Sequence, residues 1–282
     1  MTQSDNSIAV ASSSSQQPHE IELQQAERAI SEFECSNLRS FWPALNKTQI
    51  IAEMRDRILD PFQVNQGGQP FCGPAAVTFT LLTRRPLRYV EICRHLWETG
   101  HFRTQSMRSI SPSMTLRQSK GNLRMPQVDW MVLSALRESE NLIFPIEANA
   151  PEIVRNISGM TKSWEMAGWA REILSGLDVK SHYAYFSGDL PALRAADEAI
   201  QAGGFAFALI TAEGMLGNKL PLLPYPSHWV ALLGNVAIQE ESSAQGDRSR
   251  VSFDIYTWGR KMRVDIAKKS FENYFWVAIA GR

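Results

Sequence analysis

The chain has 282 residues, 44% of them apolar and 21% charged, which is ample material for a buried core. Its 29 Lys and Arg balance 29 Asp and Glu, so no general attraction to nucleic acid or to an anionic membrane surface is expected. No run of sequence approaches the roughly 20 apolar residues that span a bilayer, and three cysteines without Cys-x-x-Cys spacing suit neither a disulfide framework nor a structural zinc site.

Residues 2 to 19 are rich in Ser, Gln and Asn and offer almost nothing to bury, so residues 1–20 are expected to form a flexible tail before one domain over 21–282. Met1 to Glu20 carries neither the basic flank nor the apolar run of a secretory leader. A cytoplasmic protein is expected, or one exported by a specialised route that reads such a tail. From Ile21 the period is helical, with Leu23, Ala26, Ile30 and Phe33 on one face and Cys35 near the end. Asn46 and Gln49 have capping-box spacing and open a second helix, with Ile50, Ile51, Met54 and Ile58 inward. Pro61, Gly67, Gly68 and Pro70 then force an irregular loop, and Cys72-Gly73-Pro74 enters a new apolar helix.

Tyr89, Ile92, Cys93 and Leu96 form another amphipathic face. The polar, basic span from His101 to Gly121 reads as a long loop. Two further helices carry Val128, Met131, Val132, Ala135 and Leu136, then Met166, Trp169, Ala170, Ile173 and Leu174. Asp189 is expected to cap a last helix that ends at Gly203-Gly204. Beyond Gly204 the period becomes two: Phe205 to Leu209, His228 to Leu233, Val251 to Trp258, Met262 to Ile266 and Tyr274 to Ile279 read as strands, with a turn at Gly259-Arg260. Helices followed by antiparallel strands define an α+β fold.

Cys72 is the principal reactive candidate. It follows a Gly/Pro loop and opens a helix, where unpaired backbone N–H groups and the helix dipole favour a thiolate. Cys93 lies on an apolar face and is read as core, and Cys35 has no motif. The run Asn65-Gln66-Gly67-Gly68-Gln69-Pro70-Phe71-Cys72-Gly73 resembles the papain superfamily of cysteine peptidases, in which a Gln stands six residues before the nucleophile. That resemblance implies Gln66, with the Cys72 backbone N–H, as the oxyanion donor, and leaves Gln69 as the competing donor. It also implies a papain-like architecture, in which the nucleophile helix packs on a C-terminal antiparallel sheet.

A thiol nucleophile needs a proton acceptor. Of the five histidines, His228 opens the apolar run Ser227-His228-Trp229-Val230-Ala231-Leu232-Leu233-Gly234, which resembles the superfamily's base at the mouth of a core strand. His182 is the alternative. The third member of such a triad is an Asn or Asp on the next strand, before a Trp-Gly pair. Here Trp258-Gly259 is present, but Tyr256 occupies the Asn position, and Asp254 is the expected orienting group from one pleat back. Gln69, Gly73, Trp229 and Trp258 are expected around the substrate. Trp258 would also shield the imidazole, and the loops 101–121 and 214–227 would frame the cleft. Asp129-Trp130 and Leu136-Arg137-Glu138-Ser139-Glu140-Asn141 resemble a stretch of uncharacterised bacterial papain-like proteins suspected of being secreted toxins or effectors. Asn156-Ile157-Ser158 matches a glycosylation sequon by chance.

The resemblance implies a thiol hydrolase of peptide or isopeptide amides, without metal or organic cofactor. Its partner would be a protein or peptide substrate, a peptidoglycan peptide included. An immunity protein or chaperone is a compatible partner. Acyl transfer or deamidation by the same residues, peptidoglycan cleavage, and a catalytically silent binding module are the alternatives.

Overall fold

The computed structural model describes residues 7–121, 125–140, 161–217, 221, 224–243 and 246–282. The glycosylation sequon lies outside these residues. The fold is α+β, with a six-stranded antiparallel sheet in the C-terminal half.

Helix α1 (Ser7–Cys35) includes residues 7–19, which composition assigns to the tail, and it runs through Pro18. Residues 18–21 are exposed, and the inward face is Ala26, Ile30 and Phe33. Helix α2 (Lys47–Leu59) starts at Asn46, whose side chain accepts from the Gln49 N–H at 3.0 Å. The reciprocal half of the capping box is replaced by a distant residue, because the Asn46 N–H donates to Gln127 Oε1. A 3-10 turn (Pro61–Gln63) and an irregular loop lead into α3 (Cys72–Arg84), which is buried from Cys72 to Leu82. Helix α4 (Pro86–Thr99) ends at a left-handed Gly100.

The span 101–121 is more structured than its polarity suggests. It forms a short hairpin, β1 (Phe102–Arg103) with β2 (Ser109–Ile110), then the short helix α5 (Met114–Gln118). Helix α6 (Gln127–Glu140) and helix α7 (Ser163–Glu172) bury the apolar stripes read from the sequence. Strand β3 (Lys180–Tyr183), whose burial pattern shows no apolar alternation, has no signature in the sequence. Helix α8 (Ala184–Ser187) and helix α9 (Asp189–Gln201) follow, and Gly188 caps α9, with Asp189 as its first residue.

After β4 (Phe205–Ile210) come α10 (Ala212–Leu216), β5 (His228–Gln239), the small pair β6 (Ser242–Ser243) and β7 (Gly246–Asp247), then β8 (Arg250–Thr257), β9 (Arg260–Ala267), α11 (Lys268–Tyr274) and β10 (Phe275–Gly281). The sheet order is β3-β10-β4-β5-β8-β9. The β8–β9 turn falls one residue earlier than expected: Trp258 and Gly259 both have positive φ, 49° and 71°, the geometry of a tight primed turn.

The sheet separates two apolar layers. Phe205, Phe207, Leu209, Trp229, Ala231 and Tyr256 face α3 and the other N-terminal helices. Ala206, Ala208, Ile210, Val230, Leu232, Phe253 and Ile255 face α9 and α11. Strand β4 is therefore apolar at every position, as a central strand covered on both faces must be. On the α9 side, Ala192, Ala196, Ala206, Ala208, Ala278 and Ala280 form a thin layer of small side chains that lets the helix approach the strands.

Candidate active site

At the end of the sheet where β5 begins and β8 stops, a cavity of about 370 Å³ opens. Its lining includes Gln66 to Pro70, Cys72, Ala212, Glu213, Tyr225, Ser227, His228 and Trp258. The cysteine that opens α3 and the histidine that opens β5 thus border one space, although they are 156 positions apart in the chain. Among the described residues no hydrogen bond joins the sulfur to the imidazole.

Cys72 is 8% exposed. Burial pushes its thiol above the ordinary value, and the backbone N–H groups of Trp229, Gly73 and Cys72 itself, together with Arg137, pull the other way. Desolvation wins, so the resting group is a thiol. The depressed thiol expected from a helix N-terminus is not realised, because the position is sealed as well as polar. Gly73 has a steric function: a Cβ there would meet Thr161 Oγ1 at 2.5 Å. Thr161 is a buried junction behind Cys72, accepting from Trp229 Nε1 at its carbonyl (2.7 Å) and from Arg137 Nη1 at its hydroxyl (3.4 Å). Gly73 and Trp229, expected to touch substrate, are core residues that do not line the cavity.

His228 Nε2 lies 2.6 Å from Thr257 Oγ1, and Trp258 stacks on the ring with centroids 4.8 Å apart. With the hydrogen on Nε2 donated to Thr257, Nδ1 keeps its lone pair and is the ring atom free to take a proton. Burial lowers the imidazole to about 4, so it is neutral at pH 7. The alternative, His182, sits on the edge strand β3, away from this cavity.

Asp254 does not reach His228. It pairs with Gly234 across β5 and β8, roughly 20 Å along the strand from residue 228 at ~3.3 Å per residue. By alternation it also faces the side of Tyr256, whereas His228 and Thr257 share the side of Val230 and Ile255. Its carboxylate binds Lys261 (2.8 Å), Arg263 (3.1 Å) and Asn235 (2.7 Å). Burial raises this group, but those three donors outweigh it and hold the carboxyl at about 2. Asp254 therefore neutralises β9, and Thr257 stands at the imidazole.

The glutamine loop is braced residue by residue. Tyr256, stacked on Phe79 at 3.9 Å, donates its hydroxyl to Val64 O. Asp129, in a buried pair with Arg57, accepts the Asn65 N–H at 2.9 Å. Asn65 Oδ1 accepts the Gly67 N–H, and Gln66 Nε2 donates to Gln69 O at 3.0 Å. Gln69 is buried, and its Oε1 has no donor among the described residues. One N–H of Gln66 is therefore committed to the loop, and the orphaned atom of Gln69 is an acceptor, which cannot itself hold an oxyanion.

The chain matches no family model, no curated protein and no solved structure. Loop 101–121 contributes no residue to the cavity lining. It is tied instead to α6 and α7, through Ser113 to Glu138 and through Gln105 and Ser106 to Glu172. Among the described residues there is no cluster of His, Cys, Asp and Glu that could hold a metal ion, and no helix long and apolar enough to cross a membrane. The sequence reading missed Thr257, Thr161 and Glu213, and met Arg137 only within the stretch Leu136 to Asn141, without a role at Cys72. Of the three missed, only Thr257 carried a signal, as the residue directly before Trp258-Gly259.

Proposed function

We propose that the protein is a papain-like thiol hydrolase of peptide or isopeptide amides. The observation that carries this reading is the meeting of Cys72 and His228 on one cavity, with the Nε2 side of the imidazole anchored by Thr257 and its ring covered by Trp258. Because the thiol rests protonated and the imidazole neutral, His228 acts as a general base at the moment of attack, rather than as half of a standing ion pair. The Cys72 sulfur adds to the carbonyl carbon as its proton passes to His228. The tetrahedral oxyanion is held by the Cys72 backbone N–H and an amide of the glutamine loop. The amine leaves with the proton from His228, and water, deprotonated by His228, releases the acyl group from sulfur.

Iodoacetamide tests the reading. Cys72 is expected to alkylate faster than its burial alone allows, and His228→Ala to slow it at least tenfold without unfolding the protein. Hydrolysis of a peptide library should vanish in Cys72→Ala. Alkylation of Cys72 no faster than that of the fully buried Cys93 would remove the proposal. A silent binding module is favoured by one observation, the rise of the thiol's pKa through burial, and the same experiment decides it. A bacterial effector or toxin role, in which the substrate is a host protein or a peptidoglycan peptide, is compatible with this chemistry.

A further inference from the structure

The charged groups at the cavity are few and of one sign. Glu213, on α10, is exposed and is the one residue with a formal charge at neutral pH among the described residues that line it. Among the described residues no Lys or Arg pairs with Glu213. The nearest strand rich in cations, β9, has Lys261 and Arg263 drawn onto Asp254, which is not part of the lining. His228 and Cys72 are both neutral at pH 7, and Arg137, the cation that acts on Cys72, is buried and paired with Glu165 at 3.8 Å, so among the described residues that line the cavity none offsets the carboxylate. Two aromatic residues of the same lining are partly open to solvent: Tyr225 is 55% exposed, and Trp258, one face of which lies on His228, is 42% exposed. A carboxylate that shares a cavity with accessible aromatic rings can receive an organic cation, through its charge and the ring quadrupoles. The volume, about 370 Å³, suits a long side chain and falls within the usual range for a ligand site.

We infer that the site selects a peptide bearing a lysine or arginine beside the amide that is cleaved, with Glu213 taking the cationic head and Tyr225 and Trp258 its flanks. The inference rests on the thiol-hydrolase reading and deepens it by naming the substrate class. Glu213 determines specificity and takes no part in bond making.

Charged thiol reagents test it. In a Cys35→Ser background, Cys72 is treated with methanethiosulfonates carrying a trimethylammonium, a methyl or a sulfonate group. Each rate is normalised to the same reagent's rate with 2-mercaptoethanol. The cationic reagent is expected to outpace the anionic one by about tenfold at low salt, with the margin shrinking as salt is added. Glu213→Gln should erase most of that margin, and Glu213→Lys should reverse it. Equal normalised rates for the two charged reagents, or a margin that survives Glu213→Gln, overturn the inference and leave the hydrolase reading standing. A Cys72 inert even to the methyl reagent removes both.

Discussion

The hydroxyl of Thr257 is a single contact with separable effects. With Nε2 carrying the hydrogen, Thr257→Val leaves the buried His228 N–H without an acceptor, a loss of about 1–3 kcal/mol. Unfolding in urea should show it, together with slower alkylation of Cys72, and Thr257→Ser should restore both. Asp254→Asn is the contrasting variant. It weakens contacts to partly exposed Lys261 and Arg263, worth about 1 kcal/mol, and should leave the Cys72 alkylation rate at the wild-type value. Because its carboxyl is held at about 2, Asp254 stabilises the fold above pH ~4 and loses that contribution as pH falls towards 2.

His228 acts over a different window: burial lowers it from 6.5 to about 4, so between those values the unfolded chain binds the extra proton. Stability from this residue is complete above pH 6.5 and falls by about 3 kcal/mol as pH drops to 4. Wild type and His228→Gln, compared by urea midpoint at pH 7 and pH 4.5, should differ in slope by that contribution.

At the scale of elements, the loop before α3 is held less by its own sequence than by two distant side chains. Asp129 on α6 accepts the Asn65 N–H while paired with Arg57 on α2, and Tyr256 on β8 holds Val64. Asp129→Ala strands a buried guanidinium and frees the loop, and should cost about 3–5 kcal/mol. The double replacement Arg57→Met with Asp129→Leu should recover much of that stability in urea. It should not recover the Cys72 alkylation rate, since Asn65 stays untied.

This is also where the sequence ceased to be readable. The loop-to-helix step at Cys72 and the strand mouth at His228 are local patterns, legible in a few adjacent residues. The tie from Asp129 to Asn65 spans 64 positions and has no local mark. Asp254, the expected orienting group, fails on parity: Tyr256 faces α3, so the residues of its parity are on the wrong side for the imidazole. Register shifts between Leu232 and Gly234, and between Gly234 and Ala237, obscured that pairing further. The state of the thiol was misjudged for a related reason, since helix position is local but burial belongs to the whole packing.

For the molecule as a whole, the sheet divides the apolar interior, and each layer should respond to damage on its own. Phe79→Ala removes the ring stacked on Tyr256 in one layer, and Phe271→Ala removes an aromatic packed between Phe253 and Phe275 in the other. Each should cost about 3–5 kcal/mol. The double variant should lose the sum within about 0.5 kcal/mol, because the two sites share no contacts. A larger discrepancy in the denaturation midpoint would mean that the layers are coupled through the strands. Only the first variant should disturb Cys72, because only the α3 layer carries the glutamine loop.

The tight turn that seats Trp258 against His228 gives the protein an intrinsic optical reporter. An indole lying on an imidazole loses emission when that imidazole gains a proton, so fluorescence from this one of the eight tryptophans should dim as His228 titrates and recover when the ring is neutral. Subtracting the spectrum of Trp258→Phe isolates the signal, and the charge state of the imidazole can then be followed in the untouched protein without a label.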